Sequence, residues 1–216
     1  MTEVRPTSGR LGLPGQHDVP TTSGPKVLSP IAAICFLFLA VSTGDFATYL
    51  LKVAGLARLK PIVVDAGLYK LIFVFPLSLL FSRDLFDKSF WIFRKGSWKW
   101  ICGLATVEGI VLLIPPVQPA VSALFAFHTI IVAPPVEEIV RTVVMRPLVS
   151  RWGDFWGIVV TSGLTALMHP APKLVIVQAF ALSIMLLYTK YSITSTALAH
   201  SLMNAICVLV GGIKPS

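Results

Sequence analysis

Apolar residues in this chain fall in long unbroken runs rather than in the period-two alternation of strands or the single stripe of a surface helix. A membrane-crossing helix needs about 20 mostly apolar residues. Runs of this kind lie at about 29–51, 62–82, 98–114, 120–150, 155–169, 173–189 and 193–213, the fourth interrupted by Pro134-Pro135. The pattern predicts an all-α fold, a polytopic transmembrane helical bundle with about six to eight membrane helices. Continuous runs disfavour a β-barrel, whose strands alternate lipid-facing and inward residues. Residues 1–28 differ: Pro6, Pro14, Pro20 and Pro25 are interleaved with Gly, Ser and Thr, a composition that buries no core and predicts a disordered N-terminal tail. The organisation expected is therefore a 1–28 tail and a 29–216 membrane-embedded domain. The first run continues past Ala40-Val41-Ser42 to Leu56, which favours an uncleaved first helix over a signal peptide.

Composition strengthens the membrane reading. Of the 216 residues 55% are hydrophobic and 13% charged, against roughly 25% charged in soluble domains, and the mean hydropathy is +0.81. The net charge of +8 raises nucleic acid as a partner, but its placement argues for topology. Arg5, Arg10, Lys26, Arg83, Lys88, Arg94, Lys95, Lys99, Arg146, Arg151 and Lys190 fall on one side of the bilayer if the N-terminus is cytoplasmic. Lys52, Arg58, Lys60, Lys173 and Lys214 fall on the other. That bias follows the positive-inside rule and predicts a multi-pass cell-membrane protein with a cytoplasmic N-terminus, in contact with the lipid bilayer and with no nucleic-acid partner.

Against this apolar background three polar groups stand out: Glu137-Glu138 with Arg141, then His169, then His200 with Asn204. An ionisable side chain near the bilayer centre costs at least about 2.5 kcal/mol on insertion scales, so their concentration in one half of a small chain suggests a shared site. Each group also has a plainer reading. Pro134-Pro135 followed by acidic residues is a common helix start. His169 is placed as an interfacial residue at a helix end, and His200 and Asn204, one turn apart on one helix face, are placed as interhelical hydrogen-bonding partners. Context favours the site. Apolar residues run from Val121 to Val132 and resume at Ile139, so the acidic pair lies at depth or at a re-entrant break lining a cavity. Arg141 is four residues from Glu137 and three from Glu138; either forms an intrahelical ion pair, which leaves the other freer to act as a general base.

Other nucleophiles receive no support. Cys35, Cys102 and Cys207 are odd in number and lie inside apolar runs, so buried free thiols are expected. Ser162 lies in a membrane run without any motif that would make it a nucleophile. Asp45, Asp65, Lys70, Glu108 and His128 also lie in apolar runs, where cross-helix pairing or water access accounts for them; none is a catalytic candidate.

Glu137-Glu138-Ile139-Val140-Arg141, Thr165-Ala166-Leu167-Met168-His169 and His200-Ser201-Leu202-Met203-Asn204 together resemble the marks of the CPBP family. This is the CAAX-protease and bacteriocin-processing group of intramembrane proteases, also called Abi proteins, and the resemblance covers about residues 120–213. Two positions depart from its pattern. Arg141 comes one residue early, so that anchoring on the acidic pair places Thr142 where the family has Arg while anchoring on Arg141 puts Val136 in place of the first Glu and makes Glu137 the second, and Thr165 replaces a Phe. The resemblance implies an intramembrane endopeptidase of the glutamic type, acting on a membrane-tethered peptide or protein such as a CAAX-like tail, a leader or a sorting tail. It implies that Glu137 and His169 activate water, that Glu138 and Arg141 position them, and that His200 and Asn204 donate to the oxyanion. No cofactor is implied. Zinc is the rival, since one Glu and two His leave a water position, but no His-Glu-x-x-His motif is present and Asn is a poor zinc ligand. The alternatives are an inactive family member acting by binding or immunity, and a small transporter. The latter predicts interrupted helices in both halves, whereas the sequence suggests one only at Pro134-Pro135.

Overall fold

The computed structural model describes residues 28–112, 121–169 and 172–211; the predicted tail, apart from Leu28, lies outside them. The fold is all-α, with no strand among the described residues. Helix α1 spans Pro30–Val53. It opens where Ser29 accepts a hydrogen bond from the Ala32 N–H and Pro30 takes the first turn, whose N–H groups have no helical partner. Helix α2 (Phe75–Phe81), α3 (Ser97–Leu112), α4 (Ala123–Phe127), α5 (Ala133–Leu167), α6 (Pro172–Tyr188) and α7 (Ile193–Gly211) follow.

Three stretches are long and apolar enough to cross a membrane: Pro30–Val53, Ala123–Leu167 and Ile193–Gly211. A fourth is added if the bent pair Ala57–Asp65 and Lys70–Phe81 counts as one span. Leu80, Leu167 and Leu209 are each more than three-quarters exposed, a face that water would penalise and lipid tails accept.

Three breaks differ from or refine the sequence reading. The expected continuous run at 62–82 is bent by 67°. Its corner is Gly67, whose φ of +74° suits glycine and where an added Cβ would overlap the His128 ring. Pro134-Pro135, expected to interrupt the fourth run, do not end the helix. A π-helical turn over His128–Val132 closes with the Ala133 N–H donating to His128 O, and the two prolines then occupy the first turn of α5, where missing N–H groups do little harm. The real break comes at Gly153, with φ 82° and ψ 169°. Beyond it the chain returns so closely that a Cβ on Gly157 would lie 2.9 Å from the Val149 backbone. This divides the runs predicted at 120–150 and 155–169.

Helix α5 lies at the centre. One face packs Val136, Ile139, Val143 and Val144 against Phe36 and Leu37 of α1 and against Val74. A separate cluster joins Ile101 and Leu104 of α3, Leu182 and Met185 of α6, and Ala199 and Met203 of α7. Polar residues of α5 therefore sit where two apolar clusters meet. The cysteines are free, but Cys35 and Cys102 are exposed rather than buried, because they point from α1 and α3 to the outer face.

One end of the bundle gathers the basic loops. Arg146 pairs with Asp84 at 2.9 Å and stacks over Phe90 and Tyr191. Ser192 donates to Ile92 O and Thr194 to Trp91 O. The 83–95 segment, the 190–195 turn and Arg146 thus share a side.

Candidate active site

Glu137 and Glu138 are consecutive on α5, so their side chains leave the helix about 100° apart and meet different neighbours. Glu138 is fully buried. Both its oxygens accept from Arg141 Nε, at 3.1 and 3.2 Å, and its Oε1 lies 2.9 Å from His200 Nδ1. Arg141 is itself buried and spends its Nη1 on Ala179 O and Ser183 Oγ, at 3.3 and 3.4 Å. Of the two ion pairs the spacing allowed, the structure forms the i, i+3 pair. Thr142, at the position where the resemblance expects Arg, is buried and donates to Glu138 O, so the guanidinium reaches the acidic pair from Arg141 instead. The buried hydroxyl of Ser162 donates to Ser183, part of the same scaffold.

Glu137 is held differently. Its Oε1 receives Lys70 Nζ at 2.5 Å, and its Oε2 lies 3.8 Å from His200 Nε2. His200 therefore stands between the two carboxylates, one at each ring nitrogen. A carboxylate paired with Arg accepts only, so His200 Nδ1 donates to Glu138 and its Nε2 is the nitrogen turned toward Glu137.

His169 lies just beyond the C-terminus of α5, where the last carbonyls lack helical donors. Its Nδ1 sits 2.8 Å from Thr165 O. A carbonyl accepts only, which assigns the proton to Nδ1 and leaves Nε2 as a lone pair. Thr165, which replaces the expected Phe, keeps its own hydroxyl on Thr161 O. Asn204 is anchored by donating one amide hydrogen to Thr129 O at 2.8 Å; its second amide hydrogen is unused in that contact.

These groups share a space. A cavity of about 280 Å³ is lined by Glu137, Arg141, His169, His200 and Asn204, with Lys70 at its edge. Glu138, also expected at the site, stands behind the wall and touches it through Arg141 and His200. A neighbouring cavity of about 190 Å³ lies toward α1 and is bounded by Leu37, Ala40 and Val74. Lys70, Glu137, Arg141, Thr165 and His169 border both spaces. Among the described residues no three His, Cys, Asp or Glu side chains gather with metal-ligand geometry.

The structure adds Lys70, which sequence reasoning set aside as a cross-helix partner. The signal was present, because an ammonium in the apolar run at 62–82 demands a counter-charge, yet nothing local identifies Glu137, 67 residues later. Glu108 forms a second polar centre: its Oε1 accepts from Gln178 at 2.6 Å and from the Cys207 thiol at 2.9 Å. His128 packs between Tyr69 and Phe125 and borders the larger cavity.

Residues 119–206 match the family model described as Type II CAAX prenyl endopeptidase Rce1-like. No curated protein and no solved structure matches the chain.

Proposed function

We propose, from the premise that the chain belongs to the CPBP (CAAX-protease) family through residues 119–206, that it hydrolyses a peptide bond of a membrane-tethered peptide or protein by a glutamate mechanism. The observation that carries this reading is the joint presence of Glu137, His169, His200 and Asn204 on the wall of one cavity. Water held there gives a proton to the Glu137 and His169 unit, through Glu137 Oε2 or the His169 Nε2 lone pair, and the resulting hydroxide adds to the scissile carbonyl carbon. The carbonyl electron pair moves to oxygen. The free amide hydrogen of Asn204 and, in the imidazolium form, His200 Nε2–H donate to that oxyanion, each such donor being worth roughly 3–4 kcal/mol in the transition state. When the tetrahedral intermediate collapses, the C–N bond breaks and the proton passes to the leaving amine.

The remaining residues hold this geometry. Lys70 occupies Oε1 of Glu137 and so keeps Oε2 on the His200 side. Glu138 orients His200 through Nδ1, and Arg141 ties Glu138 to α6. The polar cavity in an apolar, lipid-facing bundle fits a substrate that arrives through the bilayer. The multi-pass cell-membrane location, the cytoplasmic N-terminus and the division into a 1–28 tail and a 29–216 domain belong to the same proposal.

The test is cleavage of membrane-tethered peptides by the purified chain in detergent or nanodiscs, comparing wild type with Glu137→Gln and His169→Ala, with and without chelator. Cleavage that survives chelator and is lost in both variants supports the glutamate mechanism. Cleavage abolished by chelator and restored by zinc overturns it in favour of a metal hydrolase. Full function of the Glu137→Gln/His169→Ala double variant in a complemented deletion strain overturns the peptidase in favour of binding.

A further inference from the structure

Away from the glutamate site, two buried hydrogen-bond donors without protein partners lie where α3 begins and α6 ends. A pocket of about 170 Å³ is lined by Arg94, Gly96, Ser97, Tyr188, Thr189 and Lys190. Arg94 is fixed at its backbone, where its N–H donates to Ser195 Oγ at 2.9 Å. Its Nη2 makes a long 3.5 Å contact to Ser89 O, while its Nε is buried without a partner. Ser97 is 1% exposed, and its Oγ likewise has no partner. A buried guanidinium N–H and a buried hydroxyl left unpaired each cost a desolvation penalty that a ligand oxygen would remove.

Three further features give the missing ligand its sign. Lys190 stands on the rim in the left-handed region, with φ 53°, followed by Tyr191 at 62°; side-chain-bearing residues seldom adopt this conformation, and here it forms the tight turn from α6 into α7. No acidic residue lines the pocket. The α3 helix starts at Ser97, whose own N–H donates to Arg94 O, so the next N–H groups of its first turn present the positive end of a 16-residue helix. Tyr188 stacks on Trp100 at 5.2 Å, and Tyr188 and Trp98 are largely exposed. Aromatic residues of this kind mark the headgroup level of a bilayer.

We infer that this pocket binds a phosphate group, held by Arg94, Lys190 and Ser97 Oγ beside the positive end of α3 and supplied by an anionic phospholipid headgroup or by free phosphate. The bordering aromatic pair and the basic end of the bundle place it where a phosphodiester would lie.

The experiment uses the full chain in phosphatidylcholine nanodiscs with and without phosphatidylglycerol, reading retained lipid by native mass spectrometry. A second arm titrates inorganic phosphate into the phosphatidylcholine discs and follows it by phosphorus NMR. The expected result is selective retention of phosphatidylglycerol, weakened roughly tenfold in Arg94→Gln/Lys190→Gln and little changed in Lys95→Gln/Lys99→Gln, whose lysines do not line the pocket. Binding of phosphate alone with the same sensitivity assigns the soluble source. Binding of neither probe, or equal loss in both double variants, overturns the site. Lys190→Gln alone, which leaves the Ser195 and Ser89 contacts of Arg94 intact, carries the test if the double variant does not fold.

Discussion

Glu138 on α5 and Glu108 on α3 are both buried carboxyl groups in apolar helices, yet they are satisfied in opposite ways. Around Glu138 and its neighbour Glu137 stand Arg141, one turn away on the same helix, and Lys70 and His200, brought from other parts of the fold. Among the described residues, the polar partners of Glu108 are Gln178 and the Cys207 thiol. Neutral hydrogen-bond donors from α6 and α7 suffice to join helices. Gathering two carboxylates, an ammonium, a guanidinium and imidazoles at one cavity is far costlier in an apolar medium than helix packing requires. The contrast separates the charged centre, to which the proposed chemistry is assigned, from a polar contact between helices.

Breaking the charged centre gives the largest expected effects. Glu137→Gln keeps the shape and one acceptor but removes the proton acceptor, so cleavage of a membrane-tethered peptide is expected to fall by roughly 10²–10⁴, with some loss of stability because Lys70 loses its counter-charge. A variant that cleaves at the wild-type rate would place the chemistry elsewhere. The next effect falls on stability. Arg141→Met leaves Glu138 buried without its guanidinium and is expected to cost about 3–5 kcal/mol in denaturant titration, whereas the double change Glu138→Leu/Arg141→Met costs less than Arg141→Met alone. A double variant as unstable as the sum of the single ones would mean that the pair contributes no coupling.

Local spacing made part of this legible. Glu138 and Arg141 are one turn apart on a single helix, as are His200 and Asn204, so the sequence alone placed each pair on one face. The same spacing left Glu137 and Glu138 as rival partners for Arg141, and side-chain packing against Ala179 and Ser183 on α6 decides for Glu138. Long-range partners were not legible: Lys70 meets Glu137 only because the chain bends by 67° around Gly67. Pro134-Pro135 misled in the other direction. Proline suggests a break, but the π-helical turn before it lets the helix continue, and the fold breaks at Gly153, inside the short polar gap that the sequence leaves between the runs at 120–150 and 155–169. Family resemblance reached the acidic pair and the two histidines but not Lys70, which lies outside residues 119–206.

Lys70 tests whether the charged centre extends beyond that matched segment. Lys70→Met frees Glu137 Oε1, and the turnover number is expected to fall roughly tenfold with KM little changed, since positioning acts on the transition state more than on binding. Lys70→Arg keeps a donor and is expected to recover much of the loss. A fall in stability that tracks the fall in turnover, without rescue by arginine, would reduce Lys70 to a structural counter-ion.

The smallest effect is expected on the other side of the comparison. Glu108→Gln retains a carbonyl oxygen where Oε1 now accepts from Gln178 and Cys207, so stability is expected to change by no more than about 1 kcal/mol and cleavage to stay at the wild-type level. The substitution is informative because Gln178 also borders the cavity of Glu137 and His169. If Glu108 acts only between helices, its charge is dispensable and only its acceptor matters. If Glu108→Gln folds normally but loses cleavage, the orientation that Glu108 imposes on Gln178 matters at the cavity, and the two carboxyl centres serve one reaction.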